Sequence, residues 1–377
     1  MVYLDYSATT PVNSEVIDSF VKVCNKYPAN PNSLHKLGVD AKNLIDASTK
    51  QIAAILGVKP NEVIYTSGSS EANNTAIKGI CLKYQNRGKH ILTTRFEHSS
   101  VYGPISYLQS LGFEMDFIDV DENGLVSIDS LKEKIREDTV LVTIASVNSE
   151  IGLMQPVLEV GKFLKENYPK CFFHVDMTQS VGKYHLSLEN IDLASFSGHK
   201  IYGMKGIGAL IKKENIEILP LIHGGKSTTV YRSGTPTTPL IVSLAKALRL
   251  ITSDMKKNYL FVGELNRVVR EKLSSYENVF INSNDVSLPY ILNISVVGVK
   301  PETFLHALEE DDIYISTQTA CSSSSTSSLA VYTLTKDEKR ASSSLRISLS
   351  YLTTMRELEE FFKSFDKNYK KLTRIGE

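Results

Sequence analysis

The stretch Ser197-Gly198-His199-Lys200 follows a short apolar run and ends on a lysine. A second stretch, His174-Val175-Asp176-Met177-Thr178-Gln179, contains an aspartate directly after another apolar run. Both runs are predicted strands, so Lys200 and Asp176 are expected at strand ends, where α/β proteins bind ligands. A lysine amine can form a Schiff base, and a carboxylate can hold a pyridinium nitrogen. Pyridoxal 5′-phosphate (PLP) chemistry needs both of these groups.

Strand-like and helix-like runs alternate over residues 62–211. This alternation is typical of an α/β fold with a mostly parallel sheet flanked by helices. A long helical stretch is predicted over residues 240–274, and the runs that follow it are sparser. The pattern predicts an N-terminal segment that packs with a small domain, a large PLP-binding domain and a smaller α+β C-terminal domain that carries Cys321. Their predicted bounds are 1–15, 16–249 and 250–377.

The composition is that of a soluble enzyme. Lys+Arg and Asp+Glu both number 42, so the formal net charge is zero, and we expect no direct binding of nucleic acid. The longest apolar runs are far too short to span a membrane. The start of the chain, Met1–Asp5, does not resemble a secretory signal, and the four cysteines lack C-x-x-C spacing. A cytoplasmic location without disulfides is therefore expected.

The stretch Thr66-Ser67-Gly68-Ser69-Ser70-Glu71 lies between a predicted strand and a predicted helix. Glycine allows the backbone to approach an anion closely, and a helix N-terminus attracts negative charge. The hydroxyls of Ser69 and Ser70 add hydrogen-bond donors. The stretch therefore favours a phosphate cradle, although glycine and serine also serve simply to turn the chain and cap helices. It lacks the Walker pattern of nucleotide-binding loops.

Three glycines follow Lys200 at positions 203, 206 and 208. Such spacing suggests a dinucleotide fingerprint, but in that motif the strand precedes the glycines, whereas here it follows them. We therefore predict a tight turn into a strand. The histidines show no spacing typical of metal ligands, so no metal site is expected.

Three further residues have both a structural and a functional interpretation. His98 follows a strand and either supports a helix start or stacks on a flat cofactor. Arg346 lies in an alternating strand and is either solvated or a clamp for a carboxylate. Cys321 precedes the serine-rich run Ser322–Ser328 and is either incidental or a thiol that a polar loop carries to a substrate. The remaining cysteines are predicted to be buried: Cys24, Cys81 and Cys171.

Taken together, these residues resemble the cysteine desulfurases, which are PLP enzymes of the class V aminotransferase group. The match keeps the family's motif order over nearly the whole chain. The resemblance implies the type I fold of PLP-dependent transferases, PLP as cofactor and L-cysteine as substrate. The matching stretches are Tyr3–Pro11, Asn30–His35, Thr66–Gly68, Glu97–His98, Asn148–Gly152, His174–Asp176, Ser197–Lys200 and Arg232–Thr235.

The resemblance also implies roles around the cofactor. Lys200 is implied to bind PLP covalently and to move the substrate Cα proton, while Asp176 holds the ring nitrogen. Gln179 is implied to donate to the ring O3′ oxygen, and His98 to stack on the ring and act in catalysis. The phosphate-binding residues implied by the family are Ser69, Ser70, Ser197 and His199.

The remaining implied roles concern the substrate and the partners. Asn148, which also belongs to the implied cofactor-binding set, and Arg346 match the positions that hold the substrate carboxylate. Thr235 matches a residue that, in the family, contacts the cofactor phosphate bound by the partner subunit. This match implies a homodimer. Cys321 matches the nucleophile that receives sulfur as a persulfide. A sulfur-acceptor protein is implied, with iron–sulfur cluster assembly or tRNA thiolation as destinations.

The chain also departs from the family pattern. Hydroxyl residues in Lys226–Val230 replace an acid and a base, and other differences occur at Ser146, Gln318 and Ser350–Tyr351. A degenerate member that acts as a binding scaffold is therefore one alternative. A selenocysteine lyase is another, because it uses the same cofactor chemistry. A PLP-dependent aminotransferase is less favoured, since transamination has no use for Cys321.

Overall fold

The computed structural model describes residues 1–317 and 327–373. The strands in this part of the chain are β1 (Val2–Tyr3), β2 (Val63–Thr66), β3 (His90–Thr93), β4 (Glu114–Phe117), β5 (Thr139–Ala145), β6 (Phe172–Asp176), β7 (Leu193–Ser197), β8 (Gly208–Lys212), β9 (Val279–Ile281), β10 (Ile291–Val296), β11 (Ile313–Tyr314) and β12 (Ser344–Ser348). The helices are α1 (Ser14–Lys26), α2 (Lys36–Leu56), α3 (Ser69–Lys83), α4 (Ser99–Gln109), α5 (Ile128–Lys134), α6 (Val157–Asn167), α7 (Thr238–Ser253), α8 (Met255–Leu273), α9 (Pro301–Glu309), α10 (Leu329–Thr335), α11 (Glu338–Ala341) and α12 (Met355–Thr373). No helix in these residues is long and apolar enough to cross a bilayer.

The central sheet has seven strands in the order β2-β8-β7-β6-β5-β3-β4. Neighbouring strands from β7 to β4 are parallel, whereas β8 runs antiparallel to both β7 and β2. The prediction of an α/β fold with a mostly parallel sheet is confirmed. Asp176 lies opposite Ala145 on one side and Ser195 on the other, so the carboxyl ends of β5, β6 and β7 meet at one edge.

Helices cover both faces of this sheet. Successive strand residues point to opposite faces, and β2 illustrates the result. Val63 and Tyr65 join a buried cluster that includes residues of α2, α6 and α7, whereas Ile64 joins a second cluster with residues of α3 and α4. Burying a large aliphatic side chain contributes about 1.5–3 kcal/mol. The two layers together hold the strand ends in place.

A second, antiparallel sheet has the order β12-β10-β9. It shares a separate buried cluster with α8, α9 and α12, and Val2 and Leu4 join that cluster. β1 pairs with β11, and Asp5 forms a bridge with Ser348. These contacts support the division into segments 1–15, 16–249 and 250–377, which stays a prediction.

The long helix predicted over residues 240–274 is two helices. Asp254, with φ −116° and ψ 18°, separates α7 from α8, and its carbonyl oxygen accepts from Asn258 N at 2.8 Å. The Ser253 hydroxyl donates to the Leu250 carbonyl oxygen at 2.8 Å. Local side-chain bonds of this kind compete with the continuing helix. Hydrophobic spacing alone does not reveal such an interruption.

Cys24 is exposed, so its predicted burial is wrong. The buried stripe of α1 contains Val16 and Val23, and Cys24 lies about 100° around the helix from Val23. Cys24 lies instead in a surface groove together with Thr235. The prediction for the other two described cysteines is confirmed: burial raises the thiol pKa of both Cys81 and Cys171.

Candidate active site

A cavity of about 190 Å³ lies at the edge of the central sheet where β5, β6 and β7 end. Most of the residues predicted from the sequence to form the site line this cavity. They are Ser69, Ser70, His98, Asp176, Gln179, His199, Lys200 and Arg346. Residues from distant parts of the chain meet there because parallel strands place their carboxyl ends at the same edge.

Lys200 lies in the single helical turn Gly198–Lys200 that follows β7. Its Nζ donates to the carbonyl oxygens of Ser7 at 2.5 Å and Ala8 at 2.7 Å. The N-terminal segment is held against this turn, since Thr10 N and Thr10 Oγ1 both donate to the His199 carbonyl oxygen at 3.0 Å. The amine therefore lies at the junction of the N-terminal segment and the sheet.

Asp176 ends β6 and is buried. Its Oδ1 accepts from Thr178 N at 2.9 Å, and its Oδ2 accepts from Asn73 Nδ2 at 2.8 Å. Sequence reasoning missed Asn73, which lies on the face of α3 that buries Ala72 and Ala76. A polar side chain on an otherwise apolar helix face was the signal that could have found it, since buried amides need partners.

His98 caps the N-terminus of α4. Its Nδ1 accepts from Ser100 N at 3.1 Å and lies 2.8 Å from Ser100 Oγ. Burial lowers the pKa of His98, and Lys200 and Arg346 lower it further, although the Asp176 carboxylate opposes the shift. The ring is therefore neutral at physiological pH. An uncharged imidazole at the cavity wall is suited to stack on a flat ring.

Ser69 and Ser70 begin α3, whose N-terminus has no side-chain cap. A second concavity, next to the first, is lined by these serines together with Ser197, His199 and Lys205. A Cβ on Gly208 would lie only 2.5 Å from the Phe196 carbonyl oxygen, so only glycine allows β8 to approach this closely. The predicted turn from the glycines into a strand is confirmed.

An ion pair connects the start of α3 to the segment that carries Thr235. Arg232 Nε lies 2.9 Å from Glu71 Oε1, and Ser67 N donates to Glu71 Oε2 at 2.7 Å. Partial burial acts to raise the pKa of Glu71, but the hydrogen bonds from Arg232 and Ser67 outweigh it and lower the pKa. The ion pair holds Arg232 next to the start of α3.

Arg346 lies on β12 and its side chain is only 1% exposed. Its Nη2 lies 2.8 Å from Asp5 Oδ1, and its Nη1 donates to the Ser149 carbonyl oxygen at 2.9 Å. Its Nε is buried and has no hydrogen-bond partner in the described residues. Asp5 was not predicted to take part in the site; it reaches Arg346 because the chain after β1 forms a bridge between Asp5 and Ser348 at the end of β12.

Asn148 supports the cavity from behind. Its Nδ2 donates to the Phe96 carbonyl oxygen at 2.9 Å, and its Oδ1 accepts from Glu150 N and Ile151 N at 2.9 and 2.7 Å. The side chain thus fixes the turn that presents Ser149 to the cavity. Asn148 is buried but is not among the residues that line the cavity.

Two more predicted site residues lie outside the main cavity. Ser197 lines the neighbouring concavity, and Thr235 lies in a surface groove with Phe20 and Cys24. Cys321 lies outside the described residues. The single chain therefore brings together the residues implied to bind the ring, but not Thr235, which the family resemblance assigns to a partner subunit.

The residues at the cavity fit PLP. The amine of Lys200 is suited to an aldehyde, the buried carboxylate of Asp176 to a pyridinium nitrogen and the neutral imidazole of His98 to an aromatic ring. The uncapped N-terminus of α3, with its serine hydroxyls, is suited to a phosphate group. The donor set thus matches each chemical part of the cofactor.

Glu97, next to His98, is a buried acid for which no separate role was predicted. Its Oε1 accepts from Thr94 Oγ1 at 2.6 Å and from Ala145 N at 3.1 Å, whereas its Oε2 has no partner in the described residues. Burial raises the pKa of Glu97 to about 8, and the Asp176 carboxylate adds to the rise despite the two hydrogen bonds. Glu97 is therefore protonated near neutral pH.

This proton makes stability depend on pH. The unfolded chain releases it near pH 4.5, whereas the folded protein keeps it until about pH 8, so stability falls as pH rises through this window. One pKa unit corresponds to about 1.4 kcal/mol. Between pH 5.5 and 8, wild type should lose at least about 1 kcal/mol more unfolding free energy than Glu97→Gln. Urea denaturation at both pH values measures this difference; equal losses would contradict the assignment of a neutral Glu97.

A family model for class V aminotransferases matches residues 2–361. A "NifS/IcsS protein homolog" from Lactobacillus delbrueckii subsp. bulgaricus is 38% identical over 386 residues, covering 100% of this chain and 99% of the relative. "Cysteine desulfurase IscS" from Dictyoglomus turgidum is 36% identical over 380 residues, covering 100% of this chain and 96% of the relative. Both relatives are matched over nearly their full length.

A solved structure of a NifS-like protein from Rickettsia africae superposes with a TM-score of 0.87 at 32% identity, covering 98% of this chain and 99% of that one. Another, described as "NIFS-LIKE PROTEIN", gives a TM-score of 0.92 at 31% identity, with 99% of each chain covered. The likeness thus extends over both sheets. Together with the full-length relatives and the family-model match, it shows that this chain belongs to the cysteine desulfurase family within the class V aminotransferases.

Proposed function

We propose that this protein is a PLP-dependent cysteine desulfurase that converts L-cysteine to L-alanine and transfers the sulfur as a persulfide on Cys321. The observation that carries the proposal is the meeting of Lys200 and Asp176 in one cavity. Asp176 ends β6 and Lys200 follows β7, so the fold brings an amine and a buried carboxylate to the same edge of the sheet. Membership in the cysteine desulfurase family supports the same activity.

Bound PLP supplies an electron sink that stabilises negative charge at the substrate Cα. In this proposal Lys200 holds the cofactor and later moves the Cα proton at its Nζ. Asp176 keeps the pyridine nitrogen protonated, and Asn73 fixes the carboxylate through a 2.8 Å hydrogen bond. His98 would stack on the ring, and its lowered pKa leaves the imidazole uncharged there.

The phosphate group is proposed to lie at the start of α3. Ser69 and Ser70 would hold it with hydroxyl and backbone N–H donors, and Ser197 and His199 line the same concavity. The open side of this concavity suits a contribution from a second subunit. We propose that Thr235 supplies it across a homodimer, because in its own chain Thr235 faces a separate groove.

The substrate carboxylate is proposed to bind Arg346, supported by Asn148. Arg346 already pairs with Asp5, yet its Nε keeps an unused donor. Asp5 offsets the charge of a guanidinium that is almost fully buried, which makes its burial tolerable. Asn148 would act by holding the turn at Ser149.

The proposed sulfur transfer requires the thiolate of Cys321. This thiolate attacks the sulfur of the bound substrate and forms a sulfur–sulfur bond. The carbon–sulfur bond of the substrate breaks, and its electron pair stays with the carbon skeleton. Protonation of that skeleton yields alanine, and the persulfide remains on Cys321. Since Cys321 lies outside the described residues, its role rests on the family resemblance.

We further propose that the persulfide passes to an acceptor protein in the cytoplasm. Iron–sulfur cluster assembly and tRNA thiolation are the proposed destinations of the sulfur. The relatives named IscS support the first of these destinations. The zero net charge gives no reason for the protein to bind a nucleic acid directly.

The proposed function is tested by incubating the purified protein with L-cysteine and without a reducing agent. We expect alanine to form and the peptide that contains Cys321 to gain one sulfur atom by mass. Incubation with D-cysteine is the control and should give neither product. If alanine and sulfide appeared while Cys321 stayed unmodified, a lyase mechanism without a thiol would replace this proposal. Turnover of L-selenocysteine alone would identify a selenocysteine lyase.

A further inference from the structure

Lys183 is a buried lysine to which the proposed mechanism gives no role. It is 9% exposed, and within residues 1–317 and 327–373 no carboxylate forms an ion pair with it. Burial, together with the positive charges of Lys200 and Arg346, lowers the pKa of Lys183 to about 7. An unpaired buried ammonium is costly. Its presence therefore calls for a compensating role.

The position of Lys183 is set by consecutive turns that follow β6. Ser180 N and Val181 N both donate to the Met177 carbonyl oxygen, and Lys183 N donates to the Ser180 carbonyl oxygen at 3.0 Å. This winding places Lys183 one turn beyond Gln179. Lys183 Nζ donates to Gln179 Oε1 at 2.7 Å, and Gln179 Nε2 donates to the Ser7 carbonyl oxygen at 3.0 Å.

These two bonds determine which way the Gln179 amide faces. In its charged form Lys183 can only donate, so it selects the amide oxygen, and the Ser7 carbonyl oxygen can only accept, so it selects the amide nitrogen. A glutamine without such partners can present either atom to its surroundings. Because Gln179 lines the main cavity and uses one of its two N–H groups on Ser7, the second N–H remains for a ligand.

The space around Lys183 is narrow and, among the residues that the structure describes, offers its amine no carboxylate. Lys183 shares a small cavity of about 10 Å³ with Lys200, and both hydroxyl-bearing residues and the apolar side chains of Val181, Ile251 and Leu349 line it. The ring of Tyr290 also lies near, with its centroid 5.8 Å from Lys183 Nζ. A methionine would fill this space without the cost of burying a charge. The hydrogen bond to Gln179 is therefore the feature that a methionine could not reproduce.

We propose that Lys183 is a positioning residue that locks the Gln179 amide so that an N–H, and not a carbonyl oxygen, is offered to an acceptor oxygen of the pyridoxal ring. This inference rests on the proposed function, because it needs PLP in the cavity. A donor at this place stabilises negative charge on the ring oxygen and lowers the pH at which the bound chromophore loses its proton.

The test uses the holoenzyme and two readouts other than activity: the pH midpoint of the visible absorption band and the affinity of the apoprotein for PLP. In Lys183→Met we expect the midpoint to rise by about one pH unit and PLP binding to weaken about tenfold, as for a lost hydrogen bond to a charged group. Lys183→Gln keeps a hydrogen-bond donor, so its pH midpoint and its affinity for PLP should lie between those of Lys183→Met and wild type.

Making the same substitution in a Gln179→Leu protein separates an effect that acts through Gln179 from a direct effect of the lysine charge. If Lys183 acts through Gln179, Lys183→Met should add little to Gln179→Leu. A shift that persists in full in that background would overturn the proposal, as would a wild-type midpoint and affinity in Lys183→Met. If Lys183→Met does not fold, Lys183→Gln with and without Gln179→Leu supplies the same comparison.

Lys212 provides a matched control. It is also a buried lysine, and it donates to the Ile216 carbonyl oxygen at 2.6 Å, away from the cavity. Lys212→Met should lower thermal stability without moving the midpoint or the PLP affinity. The outcomes also separate this inference from the proposed function: a wild-type protein that takes up no PLP refutes the function, whereas normal uptake without an effect of Lys183→Met refutes only the role of Lys183.

Discussion

Lys200→Ala is expected to give a folded but colourless protein with no measurable desulfurase activity. The substitution removes the amine that would bind the PLP aldehyde and would move the Cα proton. Loss of a general acid–base group alone costs about 10²–10⁴-fold in rate, and here the covalent anchor is lost as well. We therefore expect a rate at least about 10³-fold lower. Absorbance of the protein after reconstitution with PLP and the rate of alanine formation measure the two effects.

Lys200→Arg is the control for charge. Arginine keeps the cation and can still donate to the carbonyl oxygens of Ser7 and Ala8, which now accept from Lys200. It stays protonated and cannot form the covalent link. It should therefore be as inactive as Lys200→Ala while remaining as stable as wild type. A yellow and active Lys200→Ala protein would remove the basis of the functional assignment.

Cys321→Ser is expected to keep the colour of the cofactor and to lose persulfide formation. Serine has nearly the same size, but its hydroxyl is far less acidic and is a poor nucleophile towards sulfur. Binding of PLP and L-cysteine should therefore be unchanged, while alanine formation falls at least about 100-fold, because the acceptor for sulfur is missing. Spectral change on mixing with L-cysteine separates binding from sulfur transfer.

The other cysteines define the control for this experiment. Burial raises the thiol pKa of Cys81 and Cys171, which makes both unreactive. Cys24 is exposed and is the described cysteine that could take up sulfur without a specific role. Cys24→Ser should leave activity unchanged. Full activity in Cys321→Ser would show that sulfur leaves without this thiol, and the persulfide mechanism would then be wrong.

Local sequence was sufficient to predict the central sheet and the residues at its edge. Asp176 and Lys200 each end or follow an apolar run, and parallel strands must bring such ends together. The capping box at the start of α12 is equally local, since Thr354 N donates to Glu357 Oε2 and Glu357 N donates to Thr354 Oγ1. These features depend on residues that are near each other in the chain.

The features that the sequence did not predict correctly have a common physical origin. The interruption at Asp254 depends on side-chain bonds that hydrophobic spacing does not register. Cys24 lies just beyond the buried stripe of α1, and only the packing of that helix shows where the stripe ends. Asn73 can donate to Asp176 only because α3 packs against the end of β6, and local sequence does not specify that packing.

The sequence by itself determined the alternation of strands and helices, the amine and carboxylate at two strand ends and the hydroxyl-rich start of α3, because each follows from local spacing and residue chemistry. Only the tertiary structure decided that Asp5 pairs with Arg346, 341 residues apart, and that Lys183 orients Gln179. Electrostatic partners and pKa values depend on burial and on distances between remote segments. Those quantities exist only once the sheets and the N-terminal segment have packed together.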